Sequence, residues 1–450
     1  MDIEKLKQKI LDLAIRGKLV PQDPNDEPAS VLIEKIRKEK EELIKQGKIK
    51  RDKNESYIYK GSDNCYYEKI GNEVKNITEE LPFEIPNNWS WVRLNELGQF
   101  RKGPFGSSLT KEMFVAENTP NRIKVYEQKN AIQKNSKLGK YYISHEKFLT
   151  MESFKVEPED IIVSCAGTIG EIYILPSDSE LGIINQALMR IKLYYKNITN
   201  YFLMYFDFVL KKETNEKGNG TGMKNIPPFD ILKKMLVPLP PINEMNKIIS
   251  KLDILLVKCD DISLETNSLN STINQIKQKI LDHYFGEDSC YKSYYENKLT
   301  LGDVLSYEQP WKYTVGSTNY DDSYKTPVLT PGKTFILGYT NEKTGIYDVG
   351  RSKVIIFDDF TTASRLIDFN FKVKSSAMKI LTSVDSDKFD IEYLFYLLQT
   401  INIISNTHKR YWISEYMPIS LKIHNINEQK KIVNKINTMF TILNSMSNSI

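Results

Sequence analysis

From Met245 onward, apolar residues return at alternating steps of three and four. The series is Met245, Ile248, Leu252, Leu255, Cys259, Ile262, Leu269, Ile273, Ile276 and Ile280, interrupted at Thr266. This is a heptad seam, and it predicts a coiled-coil helix. A helix over 245–280 is roughly 54 Å long and cannot bury such a seam by itself. The end of the chain repeats the pattern at Ile432, Ile436, Met439, Leu443, Met446 and Ile450, which makes the C-terminal helix the expected partner. Ala29–Gln46 reads as another amphipathic helix, with Leu32, Ile33, Ile36 and Leu43 on its apolar face. Strand-like runs occur at 160–164 with 171–175, at 353–357 and at 377–381, and aromatic-rich helices at 201–210 and 391–398. The stretch 47–82 is polar without a period and reads as a linker.

The seam belongs to an internal repeat. INEMNKIISKL at 242–252 returns as INEQKKIVNKI at 426–436, 184 positions later (242 against 426). LKQKILD at 6–12 returns as IKQKILD at 276–282. The second copy is therefore split between the two ends of the chain, which makes the repeat circular. These patterns predict a mixed α/β (α+β) fold: two globular domains separated by long antiparallel coiled-coil helices, in a circular pseudo-two-fold repeat. The expected boundaries are a helical region and linker at 1–87, a first globular domain at 88–241, a central spacer helix at 242–296, a second globular domain at 297–424 and a C-terminal spacer helix at 425–450.

Composition narrows the class. At 450 residues the chain exceeds one core. No run of 18 apolar residues suggests a membrane helix, and the acidic N-terminus is unlike a signal peptide, so a cytoplasmic protein is expected. The 62 basic and 58 acidic residues leave a net charge of +4, which permits a nucleic-acid partner without demanding one. The scattered Cys65, Cys165, Cys259 and Cys290 form no CxxC pair.

Catalytic motifs are absent or broken. Pro227-Pro228-Phe229 follows Ile226, where an amino-methyltransferase needs Asn or Asp. Gly218 to Gly222 alternates glycine with other residues after a charged stretch, unlike a phosphate-binding turn after a strand. Pro331-Gly332-Lys333-Thr334 ends like a phosphate loop, but Pro327 stands where its first glycine belongs. These features predict a binding protein with no catalytic residue and no bound cofactor or metal.

Several stretches resemble the specificity subunits of type I restriction–modification systems. They are LKQKILDLAIRGKLVPQDPNDEPASVLIEKI at 6–36, IPNNWSWVRLNELG at 85–98, and GTIG at 167–170 with the series GNGTGMKNI to LVPLPPINEMNKI ending at Ile248. In the second half GTIG has no counterpart, and Tyr411-Trp412-Ile413 stands near the place of the glycine-rich exit. The resemblance implies two target-recognition domains, each reading one half of a bipartite, asymmetric DNA sequence, with the helices setting the spacing. It implies double-stranded DNA and two methyltransferase subunits as partners, with restriction subunits as further ones. S-adenosylmethionine, ATP and Mg2+ would then belong to those partners, which carry out adenine methylation and ATP-dependent cleavage. The alternatives are a fused methyltransferase or nuclease, and a coiled-coil scaffold that binds no DNA.

Loops mixing basic, small polar and aromatic residues are the candidates for DNA contact. In the first domain these are Arg101, Lys102, Ser107, Ser108 and Lys111, then Thr221 and Lys224. In the second they are Tyr313, Lys333, Thr334, Arg365, Lys409, Arg410 and Tyr411. The seam residues Ile248, Leu252, Leu255, Cys259, Ile262, Ile432, Ile436, Met439, Leu443 and Met446 are expected to be structural.

Overall fold

The computed structural model describes residues 2–52, 55–216, 229–286, 299–330, 335–350, 352–401, 403 and 410–448. The chain divides into two units, Met1–Ile262 and Ser263–Ile450.

The first unit opens with α1 (Ile3–Ile15), capped by the Asp2 side chain on the Lys5 N–H, and α2 (Ala29–Lys45). The predicted face of α2 holds: Leu32, Ile33 and Ile36 are buried. The stretch expected to be a linker is not one. It contains an antiparallel meander, β1 (Ser56–Lys60), β2 (Tyr66–Ile70) and β3 (Glu73–Asn76), whose Ile58 packs with Ile77 on Trp91. Its open face carries Tyr57 and Tyr59, so both faces hold large side chains and no clean alternation marks the strands.

The globular domain enters through β4 (Ser90–Arg93), α3 (Leu94–Leu97) and β5 (Gly98–Lys102). Then follow β6 (Phe114–Val115), β7 (Ile123–Tyr126), α4 (Gln128–Ile132), β8 (Tyr142–Ile143), α5 (His145–Thr150), β9 (Lys155–Val156), β10 (Ile161–Ser164), β11 (Ile172–Ile174), β12 (Gly182–Ile184) and β13 (Leu188–Leu193). Helices α6 (Thr199–Glu216) and α7 (Phe229–Lys233) precede the exit strand β14 (Leu236–Leu239), which pairs antiparallel with β4. One sheet has the order β11-β10-β13-β5, the other β6-β8-β7-β12-β9 with β7 and β12 parallel. Tyr201, Phe202 and Phe206 of α6 cover the first sheet in the main core.

Helix α8 (Ile242–Phe285) extends beyond the 245–280 heptad stretch at both ends and begins where the spacer helix was expected to. In the first unit its seam residues Ile248, Leu252 and Cys259 pack on Ile10 and Ala14 of α1 and on Trp89, with half-buried Leu255 beside them. The covering helix on this stretch is thus α1, where the C-terminal helix had been expected. Lys7 reaches Asp260 (2.7 Å) and Gln22 reaches Glu244 (2.6 Å), so the N-terminal segment runs antiparallel to α8. Ile262 is 37 % exposed and belongs to no buried seam. Alpha1 has only 13 residues, about 20 Å, and its cover ends near Asp260.

In the second unit the entry is β15 (Leu299–Thr300), α9 (Leu301–Val304) and β16 (Leu305–Glu308). Next come β17 (Thr326–Leu329), β18 (Ile336–Thr340), β19 (Val354–Asp358), β20 (Ser364–Ile367), β21 (Lys372–Val373), β22 (Met378–Ser383), α10 (Ile391–Leu398) and the exit strand β23 (Ser420–Leu421). Helix α11 (Ile426–Asn448) ends the described chain. Ile432 and Ile436 are buried with Leu281 and Tyr284 of α8, and Met439 packs against the same cluster. Lys277 meets Asn444 (2.6 Å) and Asn270 meets Ser447 (2.7 Å), which makes α11 antiparallel to this part of α8. Leu443 is half-buried, but Met446 is 50 % exposed, so the expected seam fades at the end of the helix.

The repeat is clearest in topology. Each exit strand pairs antiparallel with its entry strand, β14 with β4 and β23 with β15, and leads into the repeated helix motif. The second unit's sheet β16-β22-β19-β20 reproduces β5-β13-β10-β11 strand for strand. The parallel pair β7–β12 has its counterpart in β17–β21. Among the described residues no helix is long and apolar enough to cross a membrane.

Candidate nucleic-acid interface

In the first unit β5 carries Arg101 and Lys102 to the sheet edge, both exposed, and the following loop places Ser107, Ser108 and Lys111 in solvent. Arg101 donates to Ser153 Oγ (3.1 Å), and its guanidinium lies 4.6 Å from the Phe154 ring. Directly across the ladder stands Arg190 of β13. Two like charges in this position disfavour the sheet unless something anionic joins them. Arg190 donates to the Lys155 carbonyl, and its Nε is buried without a partner. Burial holds the Arg190 guanidinium below its ordinary value; Asp160 and Glu157 oppose that shift, and Arg101 adds to it.

Arg101 and Arg190 line a cleft of about 1030 Å³ whose wall sets Lys48, Lys50, Lys155 and Lys192 beside the carboxylates of Asp52, Glu55, Glu96, Glu152 and Glu157. Lys155 (2.6 Å) and Lys192 (2.8 Å) converge on Glu157, and their hydrogen bonds draw its carboxyl down from 4.5 to about 2. A depressed carboxylate stabilises the fold above its unfolded value, and the contribution is lost as pH falls from 4.5 toward 2. The Glu157 side chain is 38 % exposed, so screening limits this to at most about 1 kcal/mol. Glu157→Gln should therefore melt slightly earlier than wild type at pH 6. The gap should close as both proteins are titrated toward pH 2, as followed by circular dichroism; a constant gap would rule the linkage out.

The GTIG turn lies at the end of the β10–β11 hairpin. Gly167 and Gly170 adopt positive φ (66° and 83°), and Gln128 of α4 donates to the carbonyls of Ala166 and Thr168 (3.1 Å to the latter). Ser164 Oγ closes the turn by donating to the Thr168 carbonyl (2.6 Å). The neighbouring Cys165 thiol is buried and pushed up to about 12, which keeps it protonated and inert. Thr221 and Lys224 lie outside the described residues, as does the Gly218–Gly222 stretch.

In the second unit Arg365 is exposed on β20, while Tyr313 is half-buried, donating to Glu308 (3.2 Å) and packing edge-on to Tyr347. Lys333, Thr334 and Lys409 lie outside the described residues. Arg410 is exposed, but Tyr411 is 1 % exposed and sits in the core, so its expected place on the DNA face is corrected. The reason is local. The Tyr411 and Trp412 N–H groups donate to the carbonyl (3.0 Å) and carboxylate (2.8 Å) of Asp359, and this turn points both rings inward. Sequence reasoning missed Arg190 and Lys192. Their alternation along β13 places both on one sheet face, but only the pairing with β5 brings Arg190 against Arg101.

Residues 86–275 match the family model described as the type I restriction modification DNA specificity domain. The specificity subunit of the type I restriction enzyme EcoR124I/EcoR124II from Escherichia coli is 55% identical over 120 residues, covering 26% of this chain and 30% of that protein. The specificity subunit of the E. coli type I restriction enzyme EcoAI is 30% identical over 294 residues, covering 62% of this chain and 44% of its own length. The chain thus spans less than half the length of these curated relatives. A solved structure from work on assembly and conformational transition of the type I R-M system superposes with a TM-score of 0.51 at 15% identity. It covers 82% of this chain and 94% of that one, and supports the fold. Over residues 86–275 the chain is thus similar to the DNA specificity domain of type I restriction–modification systems.

Proposed function

We propose that this chain is the DNA-reading, non-catalytic subunit of a type I restriction–modification complex in the cytoplasm. Each α/β domain reads one half of a bipartite, asymmetric target, and α8 sets the distance between the halves. The observation that carries this reading is the twofold occurrence of one strand topology, with the same helix motif leaving each copy and different side chains on the loops. A common frame with divergent loops suits two different sequence readouts. In this reading two methyltransferase subunits dock on the chain and supply S-adenosylmethionine chemistry at adenine. Restriction subunits supply ATP- and Mg2+-dependent cleavage.

Methylome sequencing of a host expressing the chain with its methyltransferase tests the proposal. A split motif with methylated adenines, lost when the chain is omitted, is expected. The half-site assigned to each domain should change when that domain's loops are exchanged for those of a relative. Absence of any motif while the complex forms would overturn the reading in favour of a scaffold.

A further inference from the structure

The first unit's loop after β5 and the second unit's loop after β16 share a construction that their sequences barely reveal. Gly103-Pro104-Phe105 follows one strand, and Gln309-Pro310-Trp311 follows its topological counterpart. In both, the proline is buried. In both, the carbonyl of the aromatic residue accepts from the N–H three residues on: Ser108 to Phe105 (2.9 Å) and Thr314 to Trp311 (3.4 Å). In both, the fourth residue after the aromatic is a buried aliphatic, Leu109 or Val315, each 7% exposed. Each loop is pinned at both ends, and each turns one large ring outward, while Tyr313 of the second loop packs inward on Tyr347.

Single exposed apolar residues are ordinary on protein surfaces. These two are set apart by degree and by recurrence. Phe105 is 87% exposed and Trp311 71%, the two highest values for any large hydrophobic residue among the described residues. A short, pinned loop that holds an aromatic ring in water at the same place in two divergent domains is built to present that ring.

We propose that Phe105 and Trp311 are a matched pair of aromatic contacts, each stacking on or wedging against a nucleobase of bound DNA. The inference rests on the DNA-reading function proposed above and assigns to it two residues of one kind. The surroundings of Phe105 favour DNA. Arg101, Lys102 and Lys111 flank it, with Ser107 and Ser108 as further donors, and 101–111 contains no carboxylate. Trp311 has a local Glu308–Lys312 pair (3.3 Å) beside it and joins the proposal through its equivalent position. Base–aromatic contact tolerates any sequence, so it adds affinity to a domain whose other side chains read base edges.

The experiment uses the purified complex of the full chain with its methyltransferase, and a duplex carrying the motif found by methylome sequencing. Phe105→Ala and Trp311→Ala should each weaken binding roughly ten- to hundredfold. Phe105→Trp and Trp311→Phe should bind like wild type, and all four should melt like wild type because the rings are exposed. Trp311 is the exposed one of four tryptophans; Trp89, Trp91 and Trp412 are at most 4% exposed. DNA should therefore quench its emission and shield it from iodide, a signal missing in Trp311→Phe. Alanine variants that bind like wild type would overturn the proposal while leaving the DNA reading intact. So would a fall in melting temperature, or shielding of Trp311 by the methyltransferase before DNA is added. Failure of the wild-type complex to bind the duplex would instead remove the reading beneath it.

Discussion

Replacing Lys379 with methionine is expected to lower the melting temperature of the second unit by about 6–20 °C, from a loss of about 3–5 kcal/mol. Lys379 lies on β22 with its side chain 1% exposed, and its ammonium is 3.0 Å from the equally enclosed Asp359 carboxylate. The Tyr307 ring lies 4.9 Å away, and the Gln309 amide, turned to satisfy both neighbours, accepts from Lys379 (2.8 Å) and donates to the Ser376 carbonyl (3.2 Å). Methionine fills similar space but leaves Asp359 charged, buried and unpaired, which makes removing one partner costly. The same carboxylate holds the Trp412 N–H, so the damage should spread to the exit turn that carries Arg410. Thermal melting of the full chain, followed by near-ultraviolet circular dichroism, measures the loss. The double variant Lys379→Met with Asp359→Asn should recover part of it, because asparagine still accepts from Trp412 without a charge to desolvate. If the single variant melts within 2 °C of wild type, the pair has no role in stability.

The pair also shows why some of the fold could be read from the chain and some could not. Helix α10 matches its predicted span at Ile391–Leu398, because a run of apolar and aromatic residues after Asp390 has few other solutions. Helix α8 was legible for the same reason, its period persisting over many turns. Spacing identifies the face of a helix but says nothing of what covers it. Ile262 and Met446 fit the heptad as well as Ile248 and Ile432, yet they are only partly covered, past the stretch packed by α1 and the strongly packed part of α11. The equivalence of the two sheets is set by pairings between strands far apart in sequence, β5 with β13 and β16 with β22, and such pairings leave no local signature.

The candidate interface divides in the same way. Arg101, Lys102, Ser107, Ser108 and Lys111 are exposed as their composition suggested, since a loop of small and charged residues has little to bury. Tyr411 resembled them, lying beside Lys409 and Arg410, but its backbone N–H is captured by a residue 52 positions earlier (359 against 411). No reading of neighbours along the chain reveals that contact.

Gly103→Ala should cost the first unit at least about 1–3 kcal/mol and weaken reading of its half-site by roughly a hundredfold. Gly103 is the counterpart of Gln309, directly before the Pro-aromatic pair, and anchors its loop by different means. Where Gln309 reaches to Lys379, Gly103 has no side chain and lets two stretches of backbone meet. A Cβ there would stand 1.8 Å from the Asn185 carbonyl oxygen and 2.5 Å from its carbon. Neither side can yield easily. The Gly103 N–H donates to the Leu188 carbonyl (2.9 Å), the Asn185 carbonyl accepts from the Leu188 N–H (3.2 Å), and the Asn185 N–H is held by the Tyr126 carbonyl (3.0 Å). Relief of the clash therefore has to displace the loop from Pro104 to Ser108, moving the side chains offered to DNA. Gly106→Ala is the matched control: its Cβ would meet nothing within 4 Å, and its stability and motif should stay at wild type. Methylome sequencing of the two variants separates the outcomes. Loss of the first half-site in Gly103→Ala, with the protein still assembled and Gly106→Ala unaffected, would show that the anchored loop performs the reading. Full methylation by Gly103→Ala would show that the first domain reads DNA through another surface.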